Sequence, residues 1–183
     1  MLAEPSGLIS KGFDMRMTAL LLLLAVAPLG ARAGSLYELR GGVVLQGLGP
    51  FSPNKEDGVG LNAEILFDRI GALKFLGSPR PQLGLTVATG EHATSQIYAG
   101  LNWGIDITPR LFIDGGVGIA VHDGEASFNP MDPLIGEHNF LGCRALARLS
   151  ADVGVKIAPR VTASIHTDHV SNAGLCSENE GLD

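Results

Sequence analysis

The chain closes on HTDHVSNAGLCSENEGLD, residues 166–183, where His169 stands two places before Ser171, and Glu178, Glu180 and Asp183 follow. In an extended strand, residues i and i+2 share a face and stand about 6.6 Å apart at the backbone, within reach of leaning side chains. Serine is a poor nucleophile until a base takes its proton, and imidazole titrates close enough to neutrality to serve. A carboxylate on the other ring nitrogen orients the imidazole and stabilises its charged form. These residue types fit nucleophilic catalysis by the serine, with one of three acids as the orienting group. Alone, the H-x-S spacing is a weak signal, because a His and a Ser at a strand end are usually solvated loop residues.

Strands are what must position these groups. IYAGLNWGID places Ile97, Ala99, Leu101, Trp103 and Ile105 on one face, opposite Tyr98, Gly100, Asn102, Gly104 and Asp106. LFIDGGVGIAVH repeats the arrangement. RALARLSADVGVKI sets Ala145, Ala147, Leu149, Ala151, Val153, Val155 and Ile157 against Arg144, Arg148, Ser150, Asp152 and Lys156, although by composition its first half also suits a helix. Seven segments emerge, near 35–48, 59–69, 82–90, 95–106, 110–122, 143–157 and 160–170. An aliphatic face opposite a charged or glycine face fits a barrel with its apolar side toward lipid, an all-β, antiparallel, up-and-down outer-membrane β-barrel. The connections 107–110 and 158–160 are tight, as periplasmic turns are. Those at 49–58, 123–142 and 171–183 are long and polar, as extracellular loops are. The exceptions are 70–81, long for a turn, and 91–94, short for an outer loop. Alternation puts His169 and Ser171 on the lipid-facing side, at the extracellular end of the last segment.

Composition agrees with an exported single domain. The chain has 183 residues and a formal net charge of -6 without a basic stripe, which argues against nucleic acid as a partner. Arg16, the apolar run 19–26 and Ala31-Arg32-Ala33 form a signal peptide pattern. Residues 1–33 are therefore read as an N-terminal extension plus signal peptide, with Met15 as an alternative start, and 34–183 as the barrel domain. Cys143 and Cys176 fit an oxidising compartment and could pair. They have no CxxC or HxxxH companion, so no metal is expected there.

His169-Val170-Ser171-Asn172-Ala173-Gly174, followed by Asn179-Glu180-Gly181-Leu182-Asp183, resembles the signature of the lipid A 3-O-deacylases, the PagL family of Gram-negative outer membranes. The resemblance implies an eight-stranded barrel that removes the ester-linked acyl chain at position 3 of lipid A without a metal or cofactor. It maps the catalytic histidine and serine onto His169 and Ser171, the orienting acid onto Asp183, and the oxyanion-binding backbone onto Asn172 and Gly174. The family acid is usually glutamate, so Asp183 is one methylene shorter. The implied location is the bacterial outer membrane, with lipopolysaccharide in the outer leaflet as substrate; a homodimer is left open. Lys55 is a candidate for the lipid A phosphates, against the plainer reading of a solvated loop lysine. Seven segments and a last residue at Asp183 predict a longer relative with an eighth strand. Two rivals make His169 and Ser171 incidental: a non-enzymatic outer-membrane barrel for adhesion or support, and a secreted barrel with an apolar lumen for small ligands.

Overall fold

The structure is a computed structural model and describes residues 35–53 and 55–183. The expected signal peptide and N-terminal extension lie outside the described residues. Seven strands follow one another in chain order: β1 Leu36–Gln46, β2 Gly58–Phe67, β3 Arg80–Ala88, β4 Gln96–Asp106, β5 Leu111–His122, β6 Ala145–Ala158 and β7 Val161–Ser171. Each pairs antiparallel with the next in a single sheet. The stretch that suited a helix by composition is the start of β6. Its neighbours on both sides require the alternating pattern of a strand, which overrides local propensity.

Contacts across the sheet show that it curls into a near-barrel. Arg40 on β1 reaches Asp114 on β5 and Asp152 on β6, while Arg148 on β6 meets Glu64 on β2 at 3.5 Å and Asp168 on β7 at 2.8 Å. Gln96 on β4 donates to Asp168 at 3.2 Å, and the Tyr98 hydroxyl donates to Glu64 at 2.7 Å. Gly84 leaves the room that the Tyr98 ring occupies, since a Cβ there would fall 2.4 Å from the ring. The interior is therefore charged and hydrogen-bonded, and the outer wall is aliphatic. On β5, for example, Ile113, Val117, Ile119 and Val121 are exposed, whereas Phe112, Asp114, Ala120 and His122 are buried. A water-soluble barrel has the opposite arrangement. The rival with an apolar lumen for small ligands is thereby overturned: at these positions the lumen holds Arg40, Glu64, Asp114, Arg148, Asp152 and Asp168.

The two ends of the sheet differ. At one end the β4–β5 and β6–β7 connections are tight, and the longer β2–β3 connection is compacted by a 3₁₀ helix over Gly71–Leu76. Arg69 donates to the carbonyls of Gly77, Ser78 and Gly104, and the Trp103 indole donates to that of Leu76, so this segment folds onto the barrel rim. Its excess length over a simple turn is accounted for by that cap. At the other end, long loops cover an apolar cluster of Tyr98, Ala120, Leu141, Leu146, Val170 and Leu182. Buried Glu56 accepts the backbone N–H groups of Thr94 at 3.0 Å and Asn139 at 3.1 Å, tying three loops to one carboxylate. Among the described strands β1 and β7 are the sheet edges, and a cleft of about 620 Å³ lies between them.

Candidate active site

His169 and Ser171 end β7 on its outer face, at the loop end of the barrel, while Val170 between them points inward and is buried. Beyond Ser171 the chain turns back. The Leu175 N–H donates to the Asn172 carbonyl at 3.0 Å across Ala173 and Gly174, whose φ values of 55° and 77° are those of a type I′ turn. The disulfide between Cys143 and Cys176, one of the alternatives open from the sequence, then ties the returning segment to the base of β6. Asn172 reinforces the turn: its side chain donates to the carbonyls of Leu141 and Glu178.

The returning segment pairs with β7 once. Val170 and Leu182 exchange both backbone hydrogen bonds at 2.9 Å. That antiparallel register sets Asp183 opposite His169 and Gly181 opposite Ser171, and it places Leu182 inward while Asp183 faces out. The His169 Nδ1 lies 2.5 Å from Asp183 Oδ1. A carboxylate only accepts, so Nδ1 carries the proton and Nε2 is left as the basic nitrogen, on the side available to a hydroxyl. Gly181, at φ 71°, packs its Cα against the imidazole, and a Cβ there would lie 2.9 Å from His169 Cε1. No hydrogen bond joins Ser171 to His169 among the described residues; such contacts are often long in the unliganded state and tighten when substrate arrives.

Of the three acids open from the sequence, Asp183 is the one on the imidazole. Glu180 is occupied elsewhere: one oxygen pairs with Lys55 and the other accepts the Phe140 N–H at 2.8 Å. Lys55 is therefore neither a solvated loop lysine nor an unpaired cation for phosphates. The amides that the resemblance assigned to the oxyanion are also engaged. Asn172 N–H donates to Asn179 Oδ1 at 2.9 Å and Gly174 N–H to Asn172 Oδ1 at 2.8 Å, while the Ala173 N–H has no acceptor among the described residues. Neither Phe51 nor Gly49 was singled out in the sequence, yet both touch the acid. Phe51 N–H donates to Asp183 Oδ2 at 2.8 Å, and its ring meets the His169 ring edge-on at 5.7 Å.

Residues 79–183, more than half of the chain, match the family described as lipid A 3-O-deacylase (PagL). The chain belongs to the lipid A 3-O-deacylase (PagL) family. A solved structure described as that of the outer membrane enzyme PagL superposes with a TM-score of 0.55 at 16% identity, covering 79% of this chain and 92% of the other. This likeness bears on the fold, and it agrees with the antiparallel near-barrel. No curated protein matches the sequence. The PagL family match spans β3 to Asp183, so it includes His169, Ser171 and the turn but not the loop carrying Phe51.

Proposed function

We propose that the chain is an outer-membrane esterase that removes the 3-O-linked acyl chain of lipid A. The observation that carries the reading is the Asp183–His169 contact on the outer, aliphatic wall at the loop end of the barrel. A catalytic pair for a soluble substrate would face water or a pocket, whereas this one faces where an acyl chain in the surrounding leaflet would lie. His169 Nε2 takes the Ser171 Oγ proton as the oxygen attacks the ester carbonyl. In this reading the Ala173 N–H stabilises the oxyanion, and the Gly174 N–H joins it once released from Asn172 Oδ1. The imidazolium then gives its proton to the departing 3-oxygen of the sugar, leaving an acyl-serine. Water, deprotonated by His169, attacks the acyl carbon; the proton returns to Ser171 and the fatty acid leaves. Asp183 holds the Nδ1–H tautomer throughout and does not take the proton.

The test is the mass of lipid A from cells with and without the protein. Loss of one hydroxyacyl group is expected with the wild-type chain, and none with Ser171→Ala or His169→Asn, both of which leave the barrel's heat-modifiable mobility unchanged. Wild-type deacylation by Ser171→Ala would overturn the reading.

A further inference from the structure

The loop between β1 and β2 meets the acid at three points. Gly47 N–H donates to the Asp183 carbonyl at 3.1 Å, and Phe51 N–H to its Oδ2. Gly49 packs against the Asp183 side chain so closely that a Cβ there would fall 2.1 Å from Asp183 Cβ and 2.3 Å from Cγ. The Phe51 ring, meanwhile, walls the imidazole that the same carboxylate orients. Phe51 is nonetheless 74% exposed, and Leu48 in the same loop is 72% exposed. In water an exposed phenyl and leucine gain nothing, whereas next to lipid they lie in a matching phase.

We infer that Phe51 is a positioning residue for the His169–Asp183 pair: its N–H fixes the carboxylate and its ring limits the imidazole to the orientation that presents Nε2 to Ser171. This rests on the hydrolase reading above and deepens it. Oδ1 is given to His169 and Oδ2 to Phe51, so the carboxylate cannot rotate without losing a hydrogen bond. The edge-on ring closes the remaining freedom, that of the imidazole about its own bonds, and keeps water off the Nδ1–Oδ1 contact. The apolar outer face of Phe51 and Leu48 lets acyl chains approach without loosening that arrangement.

Three roles for Phe51 give different kinetics. A positioning residue lowers kcat, a lipid-anchoring residue raises KM, and a residue serving only the fold lowers stability. The purified full chain is assayed on lipopolysaccharide in detergent micelles by released hydroxy fatty acid. Phe51→Ala is expected to lower kcat by about 10- to 100-fold with little change in KM, the scale of a small misplacement of catalytic groups. Phe51→Trp, which keeps a ring edge, should stay within about threefold of wild type. In an Asp183→Ala background, Phe51→Ala should cost clearly less than in the wild type, because the imidazole is left but the pair it belonged to is gone. Phe51→Leu replaces Phe51→Ala if the latter fails to give the heat-modified band. The inference is overturned by wild-type kcat in the ring-less variant, by a loss confined to KM, or by the same loss persisting without Asp183. If Ser171→Ala is inactive while the ring-less variant is normal, only this inference falls; if Ser171→Ala is active, the hydrolase reading falls with it.

Discussion

His169 and Asp183 owe their contact to one backbone register. Because Val170 pairs with Leu182, the residues flanking them meet on the outer face, and the buried Leu182 side chain anchors the segment that presents the acid. Asp183→Asn keeps the size of the side chain but removes its charge and permits the wrong imidazole tautomer. A fall in kcat of about 10²- to 10⁴-fold is expected, with unchanged barrel mobility on unheated gels. Activity close to wild type would mean that Asp183 is a loop anchor only. From the sequence, His169 and Ser171 could be placed on one face by alternation alone, and Asp183 by its spacing within the signature. The occupied amides of Asn172 and Gly174 could not be foreseen, since what binds them, Asn179 and Asn172 side chains, depends on how a turn closes and not on any period.

The strands themselves were legible because burial on one side of a sheet imposes a period of two, and their bounds fall within three residues of the expected ones. Loops carry no such period, and the contacts that organise them escaped. Glu56 is the clearest case, a loop acid that reads as solvated yet is 1% exposed and holds Thr94 and Asn139. Burial, the largest cause, raises the Glu56 carboxyl above its ordinary value, opposed by the hydrogen bonds it accepts. With the folded value above the unfolded one, the folded state binds the proton more tightly. Stability relative to Glu56→Gln should therefore be greatest below the ordinary carboxylate range, fall as pH rises from there through the raised folded value, and level off above it. Melting of the heat-modifiable band for both proteins across that range checks the sign; a difference that grows with pH would contradict it.

At the scale of the molecule, the inverted distribution of polar and apolar residues is what separates a lipid-facing barrel from a soluble one. Ile119 sits mid-strand on β5, 63% exposed, paired with Ala99 and Ala147. In water, replacing such a residue with Arg changes stability within about 0.5 kcal/mol. Facing the hydrocarbon it costs about 2–4 kcal/mol. Ile119→Arg is expected to show the larger loss in lipid bilayers by urea titration, and the smaller value would remove the membrane reading. Inside, Arg148 illustrates the complementary constraint: stacked over Tyr98 at 3.7 Å and paired to Glu64 and Asp168, it neutralises acids contributed by the second and last strands.

The acid's two side-chain partners lie far apart in sequence: Phe51, in the β1–β2 loop, is 132 residues from Asp183, and His169, on β7, is 14. Before that loop approaches β7, His169 and Ser171 exist on a strand, but the Asp183 carboxylate lacks the Phe51 N–H and the Asp183 carbonyl lacks the Gly47 N–H. Under the proposed function, catalytic competence would wait on that approach. On that reading, an esterase wired in this way would be idle in transit, and its first turnover would report that the two edges of the sheet have met.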